Sequence, residues 1–498
     1  DGDASYELDL RFEGLSFARD EAPPPPPALG LPSFAGVSGR AVLDASGGRL
    51  QLRGRKTTLS FPGLFAEPDV PLEVLDASVR WHRIAGDDGA DGWVDVDIDS
   101  FRFASADAAG ELAGRYSSAG KRPGSVDLEG RLSRADATRV ARYLPLAIDV
   151  DVRDWVARSI VAGRSNDVRF VLRGELRDFP FREPASGEFH VEAAMQGVRL
   201  AYWPGWPALE GIDGRLVFSG AGMIVEAGSG RLWGTTLGPV RATIDEFREP
   251  VLLVGGSGQG PAQDLLRFVQ NSPVRDEAQA IPAGLRADGA ARLKLDLEIP
   301  LRHVAQARVH GLVELGGNEL VFDPHLPAIE KLTGRIEFTE RSFELHELAG
   351  SFLGGPLRAS GATEKSGDFR LQADGRVDAA GLRALADNAL TRALDGATDW
   401  RASVDLRQGT RVLSLESELA GLASRLPTPF AKAASEAWPL RIELAPSDAP
   451  PEAAVGDGEA LKSFGNLYGL LSKCIHGVHV LYYIKLAACG TTEKDRQE

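Results

Sequence analysis

Apolar and polar residues alternate along much of this chain. Clear cases are the segments Val94 to Asp99 and Leu293 to Ile299. A period of two places successive side chains on opposite faces of a strand, so one face is apolar and the other is solvated. Similar segments recur between Gly-rich or Pro-containing turns, which is typical of antiparallel meanders. The pattern predicts a mostly β fold with about 20 to 25 strands.

Helical periodicity is confined to a few short segments. The strongest runs from Ser133 through Val161, where Asp136 can cap a helix and Pro145 interrupts it. Because these segments are short and flanked by strand patterns, we expect plugs or bends between β segments. The other candidates are Ala262 to Asn271, Ala379 to Leu394 and Pro429 to Glu436.

An internal repeat gives more information about architecture. Residues 189–234 align with residues 309–354 at a constant offset of 120 without a gap, and 12 of the 46 positions are identical. Residues 75–81 align with residues 212–218 as a degenerate earlier copy. A β unit repeated at long period predicts modules stacked edge to edge along an axis, which would give an elongated product.

These patterns divide the chain into five predicted regions. The last of them differs abruptly in composition, because residues after 460 hold both cysteines, 4 of the 10 lysines and 3 of the 7 tyrosines. We therefore expect a linker followed by a tail foreign to the rest of the architecture. The regions are 1–132 (β modules), 133–165 (helical insert), 166–300 (β module), 301–445 (β module repeating the preceding one) and 446–498 (linker and tail).

Composition and charge exclude several classes of protein. The formal charge is −15, and the 56 Lys and Arg residues form no basic block, which argues against a nucleic-acid partner. Cys474 and Cys489 both lie in the tail, so the body has neither a disulfide framework nor a thiolate metal site. No charged-then-apolar leader and no run of about 18 apolar residues occurs, so the sequence predicts neither a signal peptide nor a spanning helix.

Motifs that would indicate cofactor or acyl-transfer chemistry are incomplete. The order strand, glycines, helix around Val251 to Gly260 invites a dinucleotide site, but Pro261 stands where the third glycine should fall. Ser257 lacks the second glycine of a nucleophile elbow, because Gln259 occupies that position. We interpret the glycine-rich stretch as a flexible turn and predict no cofactor.

Metal and glycosidase motifs are equally incomplete. His346-Glu347 begins like a zinc-protease helix, but the segment alternates like a strand, which favours a surface histidine. In the tail, Cys474, His476 and His479 lack a fourth ligand, so no metal is predicted. The acidic residues Asp95, Asp97 and Asp99 alternate with apolar ones and are predicted to lie on a solvated strand face instead of forming a catalytic pair.

The segment Trp203 to Pro207 holds two tryptophans bracketed by prolines. They could form a platform for a sugar or a lipid, but a rigid corner between modules is the preferred interpretation. The repeat copy keeps both prolines and replaces the tryptophans by Asp323 and Leu326.

A series of short stretches between residues 5 and 445 carries a family resemblance. In chain order the stretches are Tyr143 to Pro145, Trp155-Val156, Gly163, Phe170 to Gly174, Phe179 to Phe181, Leu200 to Tyr202, Trp206-Pro207, Ser272-Pro273, Ser417 to Leu422, Leu426-Pro427, Pro429 and Lys432. Together they resemble the YhdP branch of the AsmA-like family, large inner-membrane-anchored proteins of Gram-negative bacteria. The family's N-terminal membrane helix is not found in this sequence, so we expect an interior to C-terminal portion of a longer protein.

The resemblance implies a mostly β, curled antiparallel groove similar to bridge-like lipid-transfer proteins. It also implies a periplasmic location, attachment to the inner membrane through an anchor missing from this chain, and passage of phospholipid towards outer-membrane components. No enzymatic activity or cofactor is implied. The alternative is a non-enzymatic scaffold for envelope assembly that uses exposed sheet edges, and an envelope hydrolase is the least supported.

The apolar positions of the strands supply candidate lipid-groove residues. Each of them could equally fill a packed core. The candidates are Phe101, Phe103, Phe170, Leu172, Leu216, Phe218, Ile336 and Phe338.

Overall fold

The computed structural model describes residues 7–17, 32–84, 93–119, 122–183, 185–270, 284–322, 326–407 and 410–444. Predictions for the tail, for Ser272-Pro273 and for Asp323 lie outside these residues. Within them the fold is mostly β, an antiparallel groove of curled sheet with a few short helices, which confirms the predicted class. The number of strands in these ranges, 25, is also as predicted.

The strands are long, and most are followed by a short turn that returns the chain antiparallel. Their bounds are β1 (Glu7–Phe17), β2 (Ser33–Asp44), β3 (Gly47–Ser60), β4 (Asp69–Ile84), β5 (Trp93–Ala104), β6 (Ala108–Ala119), β7 (Arg122–Asp136), β8 (Ile160–Ser165), β9 (Val168–Glu175), β10 (Gly187–Leu200), β11 (Leu209–Ser219), β12 (Gly222–Leu232), β13 (Thr235–Ile244), β14 (Val251–Pro261), β15 (Arg286–Asp288), β16 (Ala290–Pro300), β17 (Arg308–Val321), β18 (Ile329–Thr339), β19 (Phe343–Phe352), β20 (Gly355–Thr363), β21 (Phe369–Asp378), β22 (Leu394–Arg407), β23 (Thr410–Ser417), β24 (Leu422–Ser424) and β25 (Leu440–Leu444).

The α-helices are α1 (Val150–Ser159), α2 (Ala262–Gln270), α3 (Ala379–Leu385) and α4 (Ala389–Arg392), and 3₁₀ turns lie at Ala137–Tyr143, Leu176–Asp178 and Val304–Gln306. Asp136 caps the first 3₁₀ turn by accepting a hydrogen bond from the Thr138 amide, as its position predicted. The predicted helix over 379–394 is interrupted, because the Asn388 side chain caps the start of a second helix, α4, and residue 394 already begins a strand.

Two local predictions were wrong. Pro429 to Glu436 is not helical, since the segment is a loop with turns, and Lys432 within it forms an isolated bridge with Ser424. The glycine-rich stretch from residue 255 to 260 lies inside β14 and is not a turn. A Cβ on Gly256 would contact Val240, and one on Gly260 would contact Thr235, so glycine permits a close approach of strands here.

The chain divides into two compact units. The described residues of the first lie within Asp1–Leu232, Thr236–Gly256 and Leu297–Ala307, and those of the second within Trp233–Thr235, Ser257–Asp296 and Arg308–Glu498. In the first unit, β1 through β7 pair in chain order, and β9, β10, β11 and β12 continue the ladder, with β8 beside the ends of β7 and β10. In the second unit, β17 through β23 pair in chain order and β25 follows.

The backbone repeats irregularities at the offset found in the sequence. The pairing of β10 with β11 shifts register on both sides of Val198, and that of β17 with β18 shifts on both sides of Asn318. Left-handed residues recur with the same spacing at Gly197 and Gly317 and at Trp233 and Leu353. Bulges increase local twist and bend a strand, so both copies bend at the same place. The five-region division of the chain stays a prediction.

Each unit contains a small buried cluster. In the first unit it consists of Val37, Leu72, Leu75 and Ala77, from β2 and β4. In the second unit it consists of Ala262, Ala287 and Ala291, and Leu265 and Leu266 of α2 pack there together with Val313, Leu315 and Leu320 of β17. The helix α2 therefore covers part of the sheet of the second unit, as expected of a plug.

Candidate lipid-binding groove

Strand register places the six candidate residues of the first unit on one face of its sheet. Residues directly opposite each other in an antiparallel pair project to the same side. Phe101, Phe170 and Phe218 belong to a single row that crosses eleven strands. In order from β1 to β12 the row is Phe12, Gly39, Leu52, Ala77, Phe101, Leu112, Gly130, Phe170, Val191, Phe218 and Met223.

The remaining three candidates of this unit lie in the two adjacent rows. Phe103 and Leu216 share the row Phe103, Gly110, Leu132, Val168, Ala193, Leu216 and Val225. Leu172 belongs to the row Leu10, Ala41, Leu50, Val79, Ile98, Gly114, Leu128, Leu172 and Phe189. All members of the three rows are apolar or glycine, and we call this side the apolar face.

The two candidates of the second unit also share one face of their sheet. Phe338 lies between Gly311 and Phe343. Ile336 belongs to the row Val313, Ile336, Leu345, Gly361, Leu371, Val404 and Leu413. Val313, at one end of this row, packs against the same buried cluster as α2.

The apolar face of the first unit is incompletely covered. In each of β9, β10 and β11 only one residue is buried, respectively Val168, Val198 and Ile212. In a β-sandwich a second sheet would bury the inner face of such strands. All eight candidates are partly buried. Phe101 and Phe103 pack against the buried cluster of the first unit, so core packing accounts for part of their burial.

Aromatic rings on the apolar face of the first unit, and on the face of the second unit that carries Ile336 and Phe338, lie over glycines of a neighbouring strand. In five directly paired positions, a Cβ built on the glycine would come no farther than 3.0 Å from the ring. Because glycine has no side chain, the ring can lie along the sheet, close to the backbone, instead of standing above it. The pairs are Phe12 with Gly39, Trp81 with Gly48, Phe170 with Gly130, Phe338 with Gly311, and Trp400 with Gly375.

Neither the glycine partners nor Trp81 and Trp400 were among the predicted residues. The signal that could have found them is glycine inside an alternating strand, which marks a close approach.

The opposite face of the first unit carries alternating charges. Arg115 contacts Asp97 at 2.7 Å, and Arg173 contacts Asp127 at 2.7 Å and Glu188 at 3.2 Å. These residues belong to one transverse row, Arg80, Asp97, Arg115, Asp127, Arg173 and Glu188. We call this side the charged face. Asp97 and Asp99 were predicted to lie on a solvated strand face; they do lie on this polar side, but both are paired with arginines and the Asp97 side chain is only 15% exposed.

We expect this charged face to make stability depend on pH. The hydrogen bond from Arg80 holds the pKa of Asp99 below its usual range. A carboxyl whose pKa is lower in the folded than in the unfolded state contributes stability above its unfolded pKa, and loses it as pH falls through the folded pKa. As the pH is lowered below about 4, the urea midpoint of Arg80→Gln should therefore fall less than that of the unaltered protein.

Arg53→Gln is the matched control for this experiment, since Arg53 approaches Asp76 only to 3.8 Å. Equal acid sensitivity of Arg80→Gln and the unaltered protein would contradict the expectation.

Two tyrosines of the first unit have raised pKa values. The Tyr143 hydroxyl donates a hydrogen bond to Asp107 over 2.8 Å, and burial followed by this contact raises the pKa of Tyr143 to about 12. Burial alone raises the pKa of Tyr202 to about 12, and the Trp155 indole donates to the Tyr202 carbonyl. Trp203 in the adjacent turn is exposed and Trp206 contacts Tyr202, an arrangement compatible with the corner interpretation.

An antiparallel sheet with one partly open apolar face and one charged face, as found in the first unit, is the arrangement of a β-groove protein. No solved structure matches the chain. Residues 1–465 match the family model described as YhdP protein, so the chain belongs to the YhdP family and the resemblance is confirmed.

A curated relative is the intermembrane phospholipid transporter YhdP of Escherichia coli (strain K12), 25% identical over 323 residues. The match covers 63% of this chain and 25% of that protein, so the chain spans about a quarter of the relative's length. Among the described residues, none of the helices has the length and apolar character needed to cross a membrane.

Proposed function

We propose that this chain is part of a periplasmic conduit that carries phospholipids between the inner and outer membranes without catalysing a reaction. The acyl chains would lie on the apolar face and the headgroups would remain in water. The observation that carries the proposal is the set of continuous apolar rows, most of whose members are only partly buried. The printed function of the E. coli relative supports phospholipid as the cargo. The full-length protein would be anchored to the inner membrane.

The size of the apolar face supports this cargo. With strands about 4.8 Å apart, a row across eleven strands measures about 50 Å along the sheet. The acyl chains of one leaflet occupy about half of a hydrocarbon core about 30 Å thick. Each methylene kept from water contributes about 0.8 kcal/mol, so a row of this length can offset much of the cost of removing a lipid from a bilayer.

Two neighbouring residues of β9 allow a sharp test. Leu172 lies on the apolar face between Leu128 and Phe189, whereas Val171 lies on the charged face between Glu129 and His190. Leu172→Lys should reduce phospholipid bound to the purified chain about tenfold or more, because a charge in an apolar environment is costly. Native mass spectrometry and lipid extraction would measure the bound phospholipid.

The control variant Val171→Lys places the same charge on the other face of the same strand and should keep bound lipid within about twofold, because that face is solvated. If the unaltered chain carries no phospholipid, or if both variants lose it equally, the proposal fails.

A scaffold function remains the second candidate because β1 exposes several apolar residues. Exposed apolar edge strands are common docking sites for other proteins. Photo-crosslinkers at Leu10 and at Leu172 distinguish the two functions. Crosslinks to protein from the first position, with no lipid captured at the second, would favour the scaffold. The exposed residues are Leu8, Leu10, Leu15 and Phe17.

A further inference from the structure

Three strands of the second unit bring two histidines and two glutamates together on the face opposite Ile336. Glu337 of β18 is paired directly with Glu344 of β19. His310 of β17 lies two residues from the position that is paired with Glu337, and His346 of β19 lies two residues from Glu344. Alternation within the strands directs all four side chains to the same side.

The distances around His346 suit a shared metal ion better than a hydrogen bond. Its Nε2 atom lies 3.5 Å from Glu337 Oε2 and 3.7 Å from Glu344 Oε2, and it is buried without a hydrogen-bond partner. One ligand atom from each of these three residues lies within 4.8 Å of the others. A tetrahedral zinc ion with ligands at about 2.0–2.2 Å separates those ligands by about 3.3–3.6 Å.

His310 holds Glu337 in the orientation that such a site needs. Its Nε2 atom lies 2.8 Å from Glu337 Oε1, which leaves Oε2 directed at His346. Ligating carboxylates in metal sites are commonly fixed by a second hydrogen bond of this kind.

The preceding repeat copy lacks this arrangement. At the offset of 120, Val217, Ile224 and Glu226 stand in place of Glu337, Glu344 and His346. Glu226 is paired with Arg215 at 2.8 Å. His190, the counterpart of His310, lies 3.9 Å from its nearest carboxylate, so this copy provides a matched control.

We propose that Glu337, Glu344 and His346 bind a zinc ion on the face of the second unit opposite Ile336, with His310 as a positioning residue. Zinc suits a mixed imidazole and carboxylate set, whereas calcium and magnesium prefer oxygen ligands alone. Water would complete the coordination. The bound ion would link β18 to β19 and stabilise this part of the second unit, as any ligand that binds the folded state alone does.

The test is a zinc titration of the chelator-treated full chain, followed by calorimetry. Because Cys474, His476 and His479 could bind metal, the chain carries Cys474→Ser and Cys489→Ser. We expect one zinc ion per chain, and binding weakened about 10–100-fold by His310→Gln and at least as much by His346→Gln. His190→Gln should leave the affinity unchanged.

A second measurement compares the same chain with and without zinc, so it does not require the histidine variants to fold. Exchange of the imidazole C2 hydrogen of His346 with deuterium, which needs no bulky reagent to reach Nε2, should be slower in the zinc-loaded than in the metal-free chain when read by mass spectrometry, whereas the reactivity of His190 should be equal in both. The proposal is overturned if the chain binds no zinc, if His346→Gln binds it as tightly as the parent, or if zinc leaves the reactivity of His346 unchanged. Phospholipid content, measured on the same samples, reports the lipid-carrying function separately.

Discussion

Gly311→Val should lower the free energy of unfolding by about 2 kcal/mol, a typical cost of forcing extra atoms into a packed contact. A Cβ at Gly311 would fall on the ring of Phe338, which supplies its three nearest atoms. The valine would therefore force the ring off the glycine and away from the sheet. Urea denaturation, with fluorescence and circular dichroism as probes, would measure the change.

Two companion variants identify the ring as the cause. Gly316→Val is the control, because a Cβ at Gly316 meets nothing within 4 Å. The double variant Gly311→Val with Phe338→Ala should lose at least about 1 kcal/mol less than the sum of the single losses, since the valine then occupies the space of the ring. Additive losses would mean that the clash does not involve Phe338.

The preceding repeat copy shows that valine is acceptable at this position when the ring lies elsewhere. Val191 stands opposite Phe218 there, and the Phe218 ring contacts Phe247 with 6.2 Å between centroids. The two copies thus combine glycine with a phenylalanine ring lying over it, and valine with a ring that contacts another phenylalanine. We expect lipid contact to be closest to the backbone where the glycine is present.

Alternation in the sequence predicted the two-faced strands, because side-chain direction depends only on position within a strand. It correctly assigned Leu216 and Phe218 to one face, and Asp97 to the other. Alternation could not predict which residues stand opposite each other, since register depends on bulges such as those around Val198 and Asn318. The glycine partners of the aromatic rings follow from register, and so they were missed.

Register also explains why the His346 cluster was invisible in the sequence. Its residues are separated by up to 36 positions and approach only because β17, β18 and β19 are neighbours. The sequence argument rejected a metal site at His346 because it considered ligands on one helix. Glu337 and Glu344 come instead from paired strands, and no short sequence motif identifies a contact of this kind.

Local errors arose where tertiary contacts override propensity. The stretch from Gly255 to Gly260 has the composition of a turn, yet neighbouring strands need its small size, and it is extended. Pro429 to Glu436 has helical spacing, but the side chain of Lys432 within it satisfies carbonyl groups of a loop. Propensity is a weak prior in both cases because specific contacts are worth more.

The loop around Lys432 leads to the second large expected effect. The ammonium group is buried and donates hydrogen bonds to the carbonyls of Leu419 and Leu422 at 2.8 Å and of Ala433 at 3.2 Å. Loss of solvation lowers the pKa of Lys432, so the carbonyl contacts offset a real cost of burial. Lys432→Met would leave these carbonyls without their donor and should destabilise the loop by about 3 kcal/mol.

Hydrogen exchange would measure this change locally. The amides of Gly421 and Ser424, which donate to the carbonyls of Ala434 and Lys432 at 2.8 and 2.9 Å, should exchange about a hundredfold faster in Lys432→Met, the factor that corresponds to about 3 kcal/mol. Lys365→Met, in an exposed turn between β20 and β21, removes the same charge and should leave those amides unchanged. Unchanged exchange in Lys432→Met would show that the loop is held by its backbone bridge alone. In that case the buried ammonium would be a consequence of the loop's conformation and not its cause.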